Sequence, residues 1–176
     1  EISRFVHAAT PAMHSTNQRV NRWLEKRGLD RTKIPAGIAC RAFDCSSLTE
    51  VTTSRGNPSP WWPRQWKMQY PLIIPLVNRK GQLVSLVGRS VGHERRKTTV
   101  PIGYTTKNLF NATLSARRFM QKVDVPEKIW ITEGEMDYLA IAQYGQPAIG
   151  IRSGSIEHIS MLPWKEHQTV FIATDN

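Results

Sequence analysis

The last third of this 176-residue chain alternates short apolar runs with one helical stretch, and that alternation narrows the fold more than any other feature. "KIWIT" at 128–132, "PAIGI" at 147–151 and "TVFIAT" at 169–174 are brief runs rich in β-branched residues. "EMDYLAIAQYG" at 135–145 lies between the first two, with Gly145 placed to end a helix. Strand, helix, strand, strand in that order predicts a parallel α/β sheet. In such sheets functional side chains collect beyond the carboxyl ends of the strands. Glu133 follows the first run and Asp175 the third, so two acids 42 residues apart are expected at one sheet edge.

Glu133, Glu135 and Asp137 place three carboxylates within five positions. Acids in the first turn of a helix offset the partial positive charge of its amide end, which suits Glu135 and in part Asp137. That account does not reach Asp175. Carboxylates gathered at one edge repel one another unless a cation or proton is shared. A hard divalent ion resolves the repulsion, and Mg²⁺ typically takes one or two protein carboxylates together with phosphate oxygens. Gly134 lets the backbone turn tightly between strand and helix. One turn of helix then separates Glu133 from Asp137, so both can face one ion. The alternative, acids on a plain surface, stays open on these residues alone.

Charge is distributed unevenly. The chain carries 24 Lys and Arg against 14 Asp and Glu, but residues 1–120 hold 20 basic and 6 acidic side chains while residues 121–176 hold 4 and 8. A surplus of 14 positive charges over the front part is the electrostatic footprint of a polyanionic partner.

The front is less regular. "STNQRVNRWLEKRG" at 15–28 predicts an amphipathic helix with Val20, Trp23 and Leu24 on one face, Ser15 or Thr16 as cap and Gly28 at its end. Residues 29–69 are expected to be irregular. Their "TSRGNPSPWWPRQWKM" segment offers Trp61, Trp62 and Trp66 either for stacking on bases or for burial under a thin loop, and burial is the favoured reading because indoles supply so much apolar area. "YPLIIPLVN" and "GQLVSLVGR" flank "NRKG" and predict a β-hairpin, with Pro75 marking an edge or a bulge. "LFNATLSARRFM" is expected to be helical throughout, with Leu109, Ala112, Leu114 and Ala116 at apolar or small positions.

Several classes are excluded or disfavoured. No apolar run approaches the roughly 20 residues that span a bilayer, and no signal segment opens the chain. Cys40 and Cys45 are too few for a disulfide framework and wrongly spaced for a zinc site, so no zinc and a reduced, cytoplasmic setting are expected. The chain opens on glutamate, so a fragment or trimmed start is expected.

"IWITEGEMDYLAIAQYGQPAIGIRSGS", followed by "VFIATDN", resembles the Toprim domain of bacterial-type DNA primases, topoisomerases and some nucleases. Its marks are a glutamate after the first strand, here Glu133-Gly134, and an Asp-x-Asp pair after a later one, here begun at Asp175 and cut short after Asn176. Asp137 also matches the primase version. Upstream, "YPLIIPLVNRKGQLVSLVGRSVGHERRKTT" is similar to the subdomain that precedes Toprim in primase cores, with Gly88-Arg89 ending a hairpin and Lys97 following a loop. The resemblance covers roughly 70–176. It divides the chain into a basic N-terminal region (1–69), a primase-core-like subdomain (70–122) and a partial Toprim domain (123–176).

The resemblance implies a Toprim-like parallel α/β sheet behind a smaller α+β part, and Mg²⁺- or Mn²⁺-dependent nucleotidyl transfer that makes RNA primers on single-stranded DNA. Glu133 and Asp175 would be catalytic; Glu133, Asp137 and Asp175 would hold the metal; Arg89, Arg95, Arg96 and Lys97 would hold template or nucleotide. NTPs and single-stranded DNA are the implied partners, with room for a replicative helicase and none for a membrane. Phosphodiester cleavage of the nuclease or topoisomerase kind, or a non-catalytic nucleic-acid-binding replication module, are the alternatives. A phage or other mobile element is the expected source, and weak or absent catalysis by these residues alone the expected behaviour.

Overall fold

Two sheets meet at the strand that carries Pro75. The computed structural model describes residues 1–34, 42–48, 55–57, 59–92, 95–152 and 156–174. The first sheet is antiparallel and runs β1 (Thr10–Pro11), β2 (Phe43–Asp44), β3 (Leu72–Val77), β4 (Leu83–Arg89) and β5 (Thr98–Thr99) in that order. The second contains β6 (Asn111–Ala112), β7 (Lys128–Glu133), β8 (Ala148–Ile151) and β9 (Thr169–Ala173), in the order β6-β8-β7-β9. β7 pairs in parallel with both β8 and β9, while β6 runs antiparallel to β8. Among the described residues five α-helices, α1 (Ile2–Ala8), α2 (Gln18–Glu25), α3 (Trp66–Gln69), α4 (Leu114–Met120) and α5 (Gly134–Ala142), flank these sheets.

The predicted parallel arrangement is therefore present, as is the hairpin. The first sheet draws β1 and β2 from the segment before residue 69 and β3 to β5 from the segment after it. Pro75 lies inside the sheet order, yet at a gap. β2 pairs only as far as Ile73, and the bridge from Val77 to Phe110 begins two residues after Pro75. The Pro75 carbonyl accepts from Asn111 Nδ2 at 3.1 Å, and a register shift follows between Leu76 and Val77. A residue without an N–H fits a position where no ladder bond is required.

Two local expectations change. The helix expected across 109–120 begins only at Leu114; Asn111 and Ala112 are strand, paired with Gly150 and Ile149. Thr113 ends the strand and caps the helix by accepting from the Ala116 amide, a competition between side chain and backbone that favours caps over helix interiors. Likewise α2 is capped by Asn17, whose side chain accepts from the Arg19 and Val20 amides, while Ser15 donates to the buried Asp44 carboxylate at 2.5 Å. Gly28 (φ +68) closes α2 as expected, with the Leu29 amide donating to Leu24. α1, β1 and β2 arise within stretches where no element was expected.

Alternation along the parallel strands creates two core layers. Ile129, Ile131, Ile149 and Ile151 pack with Ala116, Phe119 and Met120 of α4. On the opposite face Tyr138, Leu139 and Ala142 of α5 pack with Val20 and Leu24 of α2 and with Leu72 and Ile74 of β3. One continuous core thus ties the basic front to the parallel sheet. The tryptophan-rich loop is the third core: Trp61 and Trp62 are buried against Phe5, with Trp66 partly buried beside them. Burial, not exposure for stacking, is the outcome for Trp61 and Trp62, and partial burial that for Trp66. Cys45 is a fully buried free thiol, and burial pushes its pKa up; Cys40 lies outside the described residues.

Gly88 is small for reasons of space. A Cβ there would stand 2.4 Å from Cη2 of Trp62 and 3.1 Å from Cβ of Tyr70. Gly88→Ala is expected to cost about 1–3 kcal/mol, the usual range for overpacking a filled core. A lowered urea midpoint at unchanged slope is the expected sign; an unchanged midpoint would show that Trp62 can move aside at no cost.

Candidate functional site

The site expected at the strand ends is built on the turn from β7 into α5. Glu133 ends β7 in extended conformation (φ −90, ψ 119), and Gly134 follows at φ +79, a left-handed value that glycine adopts without strain. The helix sits close on the sheet because position 150 also lacks a side chain: a Cβ on Gly150 would lie 2.8 Å from Cβ of Tyr138 and 3.0 Å from the Gly134 carbonyl. Glu133 pairs with Ile151 of β8, and Thr132 with Ala173 of β9, so β7, β8 and β9 all end on one edge. Asp175, two residues beyond β9, lies outside the described residues.

The three acids of the turn have different environments. Glu133 is exposed, and its carboxylate makes no capping bond to the helix amides, so helix-end stabilisation reduces there to a water-screened interaction with the helix dipole. Asp137 is exposed one turn further on. Glu135 is buried, and here the first-turn explanation gives way to a stronger one. Its Oε1 accepts from Arg89 Nη1 at 2.6 Å and its Oε2 from Arg152 Nη1 at 2.5 Å. Arg89 ends β4 in the first sheet, Arg152 follows β8 in the second, and Glu135 bridges them. The guanidinium of Arg89 also lies 5.7 Å from the ring centre of Trp23, which Arg27 approaches to 4.5 Å. A cation over an indole face is attracted to the ring quadrupole.

Arg89 therefore stands at the sheet edge where it was expected, but with a carboxylate partner that sequence reading did not assign. Arg95, Arg96 and Lys97 are exposed, with Arg96 Nε donating to the Thr98 carbonyl at 3.0 Å just before β5. Among the described residues no three His, Cys, Asp or Glu side chains converge as a metal-holding group. Nor is any helix among them long and apolar enough to cross a membrane. Arg152 was the legible omission: "GIR" puts it directly after a strand at the same edge, the argument already applied to Glu133 and Asp175.

Comparison of the whole architecture with known structures decides its class. It superposes on the Escherichia coli primase catalytic core with a TM-score of 0.60 over 97% of this chain, at 16% identity. The fold is that of a bacterial-type primase catalytic core. The primase of Aquifex aeolicus, solved with its zinc-binding and RNA polymerase domains, matches over 99% of the chain with a TM-score of 0.58 at 12% identity. A DnaG catalytic domain bound to single-stranded DNA matches over 98% with a TM-score of 0.57 at 15% identity. This chain covers 60%, 46% and 58% of those three chains, respectively. In sequence, 79 residues are 27% identical to the DNA primase of Pasteurella multocida strain Pm70, 45% of this chain and 14% of that primase. No family model matches the chain.

Proposed function

We propose that this chain forms the nucleotide- and template-handling part of a DNA primase, a nucleotidyltransferase that builds RNA primers on single-stranded DNA. The observation that carries the proposal is the Glu133-Gly134 turn, an exposed and uncapped carboxylate where three parallel strands end, within a primase-core fold.

The residues suit the chemistry. Glu133 and Asp137, both exposed and one turn apart, form a hard oxygen donor set of the size Mg²⁺ takes when phosphates supply its other ligands. Asp175 is the third residue proposed to hold it, as in the Toprim pattern. Bound there, the ion would supply charge neutralisation at the phosphates. Glu133 is also the proposed acceptor of a proton from an attacking 3′-hydroxyl. Arg89, Arg95, Arg96 and Lys97 provide fixed positive charge for triphosphate or template backbone, in line with the basic surplus of residues 1–120. NTPs and single-stranded DNA are the proposed partners, and the single-stranded DNA held by one structural relative supports that choice.

The test is primer synthesis from NTPs on single-stranded DNA with Mg²⁺, using the longest form of the protein that carries this chain. Glu133→Gln is expected to lower synthesis at least roughly a hundredfold, the smaller end of what a positioned proton-transfer group contributes, with DNA affinity retained. Undiminished synthesis by that variant would overturn the assignment. DNA binding without synthesis in the parent protein would favour a non-catalytic replication module, and strand cleavage would favour the nuclease branch.

A further inference from the structure

Arg89, Glu135 and Arg152 form a cluster of two part-buried cations around one buried anion. The side chains are 14%, 7% and 20% exposed, so bulk water screens them poorly. A buried ion pair kept only for stability would balance its charges, because an uncompensated cation away from water is costly. This cluster leaves one positive charge in excess. It also leaves donors in excess. Each guanidinium has five N–H groups, and Glu135 engages one nitrogen of each. The Nε of Arg89 is buried with no hydrogen-bond partner among the described residues. Arg89 lies beside the Trp23 ring, and Arg152 directly follows β8.

We propose that Arg89 and Arg152 form a phosphate-binding pair, for which Glu135 is the resident counter-anion and the positioning residue. Each guanidinium gives Glu135 one Nη1 and keeps further N–H donors for phosphate oxygens, and phosphate carries more charge to share between the two. Glu135 holds the forks in place before a phosphate arrives and partly opposes its arrival. Glu133 and Asp137 sit on the same turn, but they are exposed and their charges are more strongly screened. The primase reading supplies only the source of the phosphate, a nucleoside triphosphate or a nucleic-acid backbone; the anion site does not depend on primer synthesis.

Equilibrium titrations of the 176-residue chain at low salt, without divalent metal, test this with two probes: inorganic tripolyphosphate and single-stranded oligo(dT). Arg152→Ala is expected to weaken one or both by about tenfold, the value of one charge-assisted hydrogen bond. A change confined to tripolyphosphate identifies a triphosphate site. A change in oligo(dT) affinity with a salt slope lowered by about one identifies a backbone site. Arg152→Lys keeps the charge opposite Glu135 and is the variant to use if the alanine form does not fold; a smaller but measurable loss is expected, since a point charge replaces a fork. Glu135→Gln is expected to tighten binding several-fold by removing the competing anion. A purely structural Glu135 would produce no such gain. Unchanged affinity for both probes in a folded Arg152 variant, or weaker binding of both by Glu135→Gln, would overturn the proposal. Failure of primer synthesis would leave these titrations standing.

Discussion

Replacing Glu135 with alanine is expected to lower the unfolding free energy by about 3–5 kcal/mol, the range for removing one partner of a buried ion pair. The size follows from what is left behind. Arg89 and Arg152, side chains 14% and 20% exposed, would face each other's charge with no anion between them. The loss is also one of architecture, because Glu135 on α5 connects the end of β4 with the end of β8. Urea unfolding with far-ultraviolet circular dichroism measures it. A double variant, Glu135→Ala with Arg152→Ala, is expected to lose less than the two single losses added together, since the second change removes a stranded charge. Glu135→Gln keeps the shape and one acceptor oxygen and is expected to lose less than the alanine form. A loss below about 1 kcal/mol for Glu135→Ala would place the triad with ordinary surface pairs, screened by water and worth little.

That triad also marks where sequence reading stops. The parallel module was legible because each signal in it is local. The three strands are β-branched runs, the helix between them is closed by Gly145 (φ +73), and the tight turn is carried by Gly134. The position of Glu133 at a strand end followed from that pattern, and that of Arg89 from the hairpin upstream. The charge partnership did not. Arg89 lies 46 residues and Arg152 17 residues from Glu135, and nothing in either spacing shows which carboxylate is buried. First-turn placement offered an adequate local account of Glu135, and a distant contact overrode it. The front of the chain failed for a related reason. β1 and β2 are two residues each and exist because Phe43 and Asp44 pair with Ile73 and Leu72 across a long separation. Strands that short carry no period. At Asn111 and Ala112 the apolar spacing suited a helix, but pairing with β8 made them strand and left Thr113 to start the helix.

Trp62→Ala is the second large effect, expected to cost about 3–5 kcal/mol, as for other buried aromatic residues truncated to alanine. Trp62 is 1% exposed and packs among three rings, 5.4 Å from Phe5, 6.4 Å from Trp61 and edge-on at 5.3 Å to Trp66. Those rings hold α1 and the loop against the first sheet. Removing the indole opens a void that flanking backbone in β4 fills poorly, so the melting temperature should fall by roughly 10 °C, at 2–4 °C per kcal/mol for a chain of this length. The same contact makes a sharper test through coupling. A Cβ at Gly88 would collide with Cη2 of Trp62 at 2.4 Å, so the cost of Gly88→Ala should shrink sharply once that indole is gone. The double variant is therefore expected to be little less stable than Trp62→Ala alone. If the two losses add in full, the Gly88 penalty comes from elsewhere in its surroundings, with Tyr70 and Thr99 the next nearest contacts at 3.1 and 3.2 Å.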